Sequence, residues 1–429
     1  MTDADSDRSE NVVATVPLDA MSRPRFTALP PLALYVHLPW CVRKCPYCDF
    51  NSHQAPDELP ESAYVDALVD DLERALPAIW GRKVVTVFIG GGTPSLFSDA
   101  AIDRLLSAIR ARVPLLPDAE VTLEANPGTF ERNRFAGYFA AGVNRLSIGI
   151  QSFDDRHLHA LGRVHDGDEA RRAAESAVMI FGNVNLDLMF ALPSQTANAA
   201  ARDVAVALQF APAHLSLYHL TLEPNTHFHR YPPTLPDDDT AADIEDAVRG
   251  AADAAGYVHY ETSAHALPGR ECRHNVNYWR FGDYLGIGAG AHSKLSFPDR
   301  VVRQVRWKHP QRYLDAAADG IFLQDEAAID RHDLPFEFML NALRLSAGVP
   351  ASMYAERTGM PLASVSSLVQ QAVARGLLED DPLVLKPTPL GRRFQNDLQA
   401  IFLPTADRAS ARRSVADRVP AVIPIAVHR

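Results

Sequence analysis

The chain has 429 residues, a hydrophobic fraction of 47% and a formal net charge of −11. Such a length suits one large core with a smaller appended domain, and the apolar content excludes global disorder. The acidic balance argues against nonspecific binding to nucleic acid, which needs basic surface, and no run of eighteen apolar residues offers a membrane span.

Residues 1–30 read as a disordered acidic leader without the basic start and apolar stretch of a secretory signal, so the expected location is the cytoplasm. Peripheral contact with a membrane stays open. LALYVHL (32–38) reads as a strand that ends at Pro39, and a cysteine-bearing loop follows. Tyr64, Leu68, Leu72 and Leu76 then recur at helical spacing within 61–79. VVTVFIG (84–90) is a buried strand followed by the turn GGTPS, and 100–113 returns to helical periodicity. The alternation continues with strands at 121–127, 145–152, 184–193 and 214–224, and with helices at 131–141, 167–181, 197–209 and 237–256.

Six strand–helix units with short connections predict a parallel sheet with crossover helices, either open and doubly wound or an incomplete barrel. In both, functional loops belong at the C-terminal ends of the strands. The cysteine loop, the GGTP turn, Glu124, Gln151, Asp187 and Thr221 all fall at or near such ends. Residues 265–325 read as richer in loops. Residues 333–403 read as mostly helical, ending helix–hairpin–helix like a small winged-helix unit, and 404–429 as a mobile basic tail. The expected division is therefore 1–30, 31–265, 266–332, 333–403 and 404–429.

Of the four cysteines, three form Cys41-Val-Arg-Lys-Cys45-Pro-Tyr-Cys48. A CxxxCxxC loop is unlike a disulfide framework. Three crowded thiolates suit three irons of a [4Fe–4S] cubane, whose fourth iron keeps an open position for a small ligand. The alternative, a structural zinc site, wants four protein ligands, and Cys272 is distant with no CxxC partner.

The CxxxCxxC loop after a strand, followed by GGGTP, resembles the radical SAM superfamily. LALYVHLPWCVRKCPYCDFNSH, FIGGGTPS, EANPG, NRLSIGIQSF, LGRVH, NLDLMFALP and HNVNYWRFGDYLGIGAGAHS extend that resemblance over residues 31–403. It points to the oxygen-independent coproporphyrinogen III oxidase branch and, within it, to the heme-chaperone family. The resemblance implies a partial (β/α)6 TIM-like barrel with a C-terminal, mostly helical, winged-helix-like domain. It also implies an S-adenosylmethionine (SAM) pocket drawing on Tyr35, Tyr47, Gly91, Gly92, Thr93, Glu124, Gln151, Arg163, Asp187, Thr221 and His292. Glycines after a buried strand let backbone approach a ligand, Glu124 offers acceptors to ribose or amino groups, and Arg163 suits a carboxylate. Read alone, Glu124 is equally a helix cap, Arg163 a surface ion pair and Asp187 a brace for a neighbouring strand.

Two departures from the oxidase pattern matter. Its motif continues as CxxxCxxCxC, whereas this chain has Phe50 at the last position, and the segment before the cysteines is short. Both put porphyrinogen decarboxylation in doubt. The oxidase remains the alternative reading. The HNxxYW-type segment resembles that of the heme chaperones and offers His274, Tyr278 and Trp279, with Cys272 just upstream, as expected heme contacts. A packed histidine bound to a backbone carbonyl is the plainer account of His274. The implied partners are heme, a heme-accepting apoprotein, and reduced flavodoxin or ferredoxin as electron donor, with no nucleic acid.

Overall fold

A computed structural model describes residues 24–128 and 131–404. The expected leader and basic tail fall largely outside the described residues. Residues 24–30 are seated on the body of the protein, where the Arg25 amide donates to the Gly359 carbonyl at 3.2 Å and the Phe26 amide to Pro298 at 3.3 Å.

Six strands alternate with six main helices in the order expected. The strands are β1 (Leu32–Leu38), β2 (Val84–Gly91), β3 (Leu115–Ala125), β4 (Arg145–Gln151), β5 (Val184–Phe190) and β6 (His214–His219). The helices are α1 (Glu61–Ile79), α2 (Asp99–Arg112), α3 (Glu131–Ala141), α4 (Gly167–Ile180), α5 (Ala197–Gln209) and α6 (Asp238–Ala254). Side-chain oxygens fix where several of these helices begin. Ser98, Thr196 and Asp237 accept from amides of the first turns of α2, α5 and α6, and Asp166 forms a reciprocal capping box with Glu169 on α4. Each such cap stabilises a helix start by about 1 kcal/mol.

All neighbours from β1 to β6 pair in parallel. Successive side chains of a strand face opposite ways. Leu32, Leu34, Val36 and Leu38 of β1 pack in the main core beneath the helices, as do Val121 and Leu123, Leu146 and Ile148, and Leu186 and Leu188. The other set faces the concave side and is strongly polar. It comprises Tyr35 and His37, Thr86, Glu120, Thr122 and Glu124, Arg145 and Ser147, Asn185 and Asp187, and His214 and Ser216. Most of these are buried. The barrel interior is thus a polar lumen lined in register by six strands.

The sheet does not stop at β1 and β6. It has 12 strands. β7 (Val258–Glu261) and β8 (Ala264–Ala266) form an antiparallel pair beside β6. On the other side β9 (Asp283–Ile287) runs parallel to β1, and β10 (His292–Phe297), β11 (Arg300–Arg306) and β12 (Leu323–Ala328) follow antiparallel. Residues 265–325, expected to be richer in loops, therefore carry much of an extended sheet. Buried charges hide these strands from a reading of alternation. Lys294 pairs with Asp283 at 2.9 Å, Arg82 with Asp283 at 2.8 Å and Arg306 with Asp71 at 3.3 Å. Breaking one partner of such a pair leaves an uncompensated buried charge, at a cost of roughly 3–5 kcal/mol.

Within 266–332 lie two helices, α7 (Arg273–Trp279) and α8 (Pro310–Asp319). The C-terminal unit packs α9 (Leu334–Ala342) and further short helices around a second apolar core containing Phe338, Met339, Tyr354 and Leu398. There Val384–Leu385 pairs with Val349–Pro350, while Leu378 bridges Pro387, giving the small wing.

Candidate cluster and cofactor site

The cysteine loop leaves the C-terminal end of β1 and folds back on itself. Trp40–Cys41 pairs with His53–Gln54, and the Cys48 amide donates to the Cys45 carbonyl at 3.2 Å. Two bonds stitch this loop to the glycine turn after β2. The Gly92 amide donates to Leu38 at 2.8 Å, and the Thr93 amide to Trp40 at 2.7 Å. A Cβ on Gly92 would lie 2.5 Å from the Trp40 carbonyl oxygen, and one on Gly91, which has φ +117°, would lie 2.7 Å from the His37 ring. The absence of side chains here lets two loops touch, in addition to any ligand they approach.

The three thiols sit at the half-buried surface of this loop. Burial raises the Cys41 thiol pKa, while the nearby Thr93 hydroxyl and Arg163 oppose the shift. Burial also pushes Cys48 up to about 11. Protonated thiols of this kind are ionised by metal binding, which supplies the missing positive charge. Arg163 donates Nη1 toward Cys45 Sγ at 3.8 Å and Nη2 to Asn126 Oδ1 at 2.6 Å and the Gly149 carbonyl at 2.7 Å. In the structure Arg163 braces a cysteine against the ends of β3 and β4. Among the described residues no three His, Cys, Asp or Glu side chains converge as ligands of a single ion. A cubane instead takes one thiolate per iron and keeps the three sulfurs apart.

Around this loop the structure gathers most of the expected pocket. Glu124 accepts from the Gly91 amide at 3.1 Å, and burial, reinforced by Asp187, raises its pKa to about 8. Asp187 accepts from Ser147 Oγ at 3.1 Å and Asn185 Nδ2 at 2.9 Å, so it does brace neighbouring strands. Thr93 Oγ1 accepts from Asn126 Nδ2 at 2.8 Å. Gln151 is the most telling residue. It holds φ +67°, is 3% exposed, and its Oε1 is buried without a partner. An unmet buried acceptor costs about 1–3 kcal/mol, and a left-handed glutamine adds strain.

The remaining expected residues are placed less centrally. Tyr35 lies deeper in the lumen, with Oη 3.0 Å from His37 Nδ1 and its ring stacked on Phe88. Tyr47 packs toward Phe228 at a ring separation of 6.3 Å and near Arg163. Thr221 donates to Glu223 Oε1 at 2.8 Å. His292 starts β10, and burial lowers its pKa to about 4. Sequence reasoning passed over His37, Asn126 and Arg145. His37 and Arg145 share the strand alternation of Tyr35 and Ser147, and Asn126 stands inside EANPG, so the signal was present.

The HNxxYW-type segment is α7, and it closes the opposite end of the lumen. His274 is 1% exposed; its Nδ1 lies 2.8 Å from Thr86 Oγ1 on β2, and its amide donates to Glu120 Oε1 at 3.2 Å. Its ring packs against Phe88 and Tyr278, each 4.9 Å away. Cys272, Tyr278 and Trp279 are likewise buried, and Arg344 lies over the Trp279 ring. The Cys272 amide donates to Tyr260 Oη at 3.2 Å, Tyr260 Oη lies 2.8 Å from His214 Nε2, and His214 Nδ1 lies 2.6 Å from Asn185 Oδ1. Asn185 in turn bonds Asp187, so a hydrogen-bonded chain runs from the start of α7 to the pocket. The four residues expected as heme contacts, Cys272, His274, Tyr278 and Trp279, are brought together and are buried.

The parallel βα units, the cysteine loop on the first strand and the glycine turn on the second define a radical SAM protein. Residues 35–204 match the family model of the radical SAM superfamily, and residues 329–394 match that of the HemN C-terminal domain. The chain belongs to the heme chaperone HemW family. It is 48% identical over 377 residues to heme chaperone HemW of Escherichia coli (strain K12), covering 87% of this chain and 99% of that protein. It is 33% identical over 377 residues to heme chaperone HemW of Bacillus subtilis (strain 168), covering 86% and 98%. The crystal structure of the E. coli coproporphyrinogen III oxidase HemN, a radical SAM enzyme, superposes with a TM-score of 0.75 at 24% identity, over 88% of this chain and 91% of that one. That likeness establishes the shared fold.

Proposed function

We propose that this chain binds heme and passes it to an acceptor apoprotein, with a [4Fe–4S] cluster on Cys41, Cys45 and Cys48 and SAM held beside it. The observation that carries the reading is near full-length similarity to the HemW chaperones together with Phe50 where the oxidase pattern has a further cysteine. The cluster, with one iron free of protein ligands, supplies an open coordination position for the amino and carboxylate groups of SAM. Glu124 and the backbone of Gly91, Gly92 and Thr93 line the SAM side, Gln151 offers its unmet acceptor, and Asp187 and Arg163 hold strand ends and loop in place. Reduced flavodoxin or ferredoxin is the expected electron source, and the cytoplasm the expected location. Among the described residues no helix is long and apolar enough to cross a membrane.

The test is anaerobic reconstitution followed by parallel assays. Heme loading and transfer to an apoprotein are expected, with no multiple turnover of coproporphyrinogen III in the presence of SAM and reductant. Sustained porphyrinogen turnover would overturn the reading in favour of the oxidase.

A further inference from the structure

Asn126 stands just past the end of β3, half-buried, and its amide points two ways. Nδ2 donates to Thr93 Oγ1 at 2.8 Å, and Oδ1 accepts from Arg163 Nη2 at 2.6 Å. Each partner leads to a cysteine. The Thr93 hydroxyl accepts from Asn126 and so keeps its single proton for the Cys41 sulfur beside it. Arg163, held also by the Gly149 carbonyl at 2.7 Å, directs Nη1 toward Cys45 Sγ at 3.8 Å. Gly149, within β4, leaves room for this arrangement. A Cβ there would lie 2.7 Å from Asn126 Oδ1 and 3.5 Å from Arg163 Nη2. The bonds of Arg163 thus run to an amide, a backbone carbonyl and a sulfur, and the ionisable groups acting on its charge are Tyr47 and Cys45.

We propose that Asn126 is a positioning residue for the cluster: it aims the Thr93 hydroxyl at Cys41 and the Arg163 guanidinium at Cys45, and so sets the potential at which the cluster takes up an electron. The inference rests on the reading of the three cysteines as cluster ligands. One electron from a reductant adds one negative charge to the cluster, and no bond is made or broken. Hydrogen bonds to the sulfurs and the net charge around them are what move such a potential. A guanidinium held beside one sulfur by neutral groups keeps its full charge for the reduced cluster, and at a half-buried site that attraction is weakly screened. A carboxylate in place of the Asn126 amide would do the opposite. It would neutralise Arg163, and having no N–H it would draw the Thr93 proton away from Cys41.

The test uses the full chain, reconstituted anaerobically without SAM and titrated with dithionite and mediators while the signal of the reduced cluster is followed by electron paramagnetic resonance. Asn126→Asp is expected to lower the equilibrium constant for reduction about tenfold, a fall of about 59 mV for one electron. Asn126→Ala, which removes both bonds but adds no charge, should lower it less, and in an Arg163→Gln background it should have little further effect. Iron per chain and the melt of the iron-free protein should stay near wild type. A brace with no part in tuning predicts the reverse order, since alanine removes more contacts than the isosteric aspartate. Wild-type potentials in both iron-loaded variants overturn the proposal. Loss of iron from both, with an intact melt, overturns it too and makes Asn126 a residue of cluster assembly. A wild-type chain that yields no reducible iron–sulfur signal instead overturns the cluster assignment beneath it.

Discussion

Thr93 donates its backbone N–H to the carbonyl of Trp40 across 2.7 Å, so the glycine turn hangs directly on the residue before the first cysteine. The cofactor turn and the cluster loop are one piece of backbone architecture.

Gly92→Ala should therefore impair both halves of the site. Its Cβ would sit 2.5 Å from the Trp40 oxygen, and relieving that contact means displacing the loop that carries Cys41. Iron per chain after reconstitution and SAM affinity by titration should fall together, with a loss of stability of roughly 1–3 kcal/mol. Full iron loading with selectively weakened SAM binding would show that the glycine serves the ligand alone.

Iron content separates the cysteines. About four irons per chain are expected, lost on Cys41→Ala, Cys45→Ala or Cys48→Ala. Cys272→Ala should keep the cluster, since that thiol lies at the other end of the lumen and points to Glu120 at 3.7 Å. It should cost roughly 1–2 kcal/mol in the melt, as for other small buried truncations. An iron-free Cys272→Ala protein with an intact melt would contradict this.

Glu124 sets a pH dependence. Its pKa rises from an ordinary 4.5 to about 8 in the folded protein, chiefly through burial. Between those values the folded state keeps a proton that the unfolded chain has lost, so this group's contribution to stability is fully present below about 4.5 and lost as pH rises through about 8. Cationic SAM favours the ionised carboxylate, so its affinity should rise over the same upper window. Glu124→Gln should flatten both trends. A SAM titration in that variant that still tightens with pH would remove Glu124 from the explanation.

His274→Ala tests the floor of the lumen. Losing the ring deprives Thr86 Oγ1 of its partner and opens a cavity between Phe88 and Tyr278, so stability should fall by about 2–4 kcal/mol. In the fraction that remains folded, the heme spectrum should be unaltered. A stably folded variant with a shifted Soret band would instead make His274 an axial ligand, and would require α7 to leave its seat.

Much of this was legible in the sequence because it is local. Six strand–helix periods, the CxxxCxxC spacing and glycines after a buried strand are written in neighbouring residues. The strands from His292 to Ala328 were not, because Lys294, Arg303 and Arg306 occupy strand positions that only distant acids make tolerable. The setting of His274 was not legible either. Its neighbours Thr86 and Glu120 lie on strands far back in the chain, and no spacing rule reports that a polar motif will be driven into a polar lumen.

The chain of bonds from Cys272 through Tyr260, His214 and Asn185 to Asp187 gives α7 a thermodynamic consequence at a distance. If a ligand is admitted only when α7 unseats, the unseating breaks the first bond of that chain and alters what holds Asp187. Linkage then requires reciprocity: the factor by which bound SAM weakens that ligand is the factor by which the ligand weakens SAM. The two affinities would form a single coupling free energy, measurable from either end.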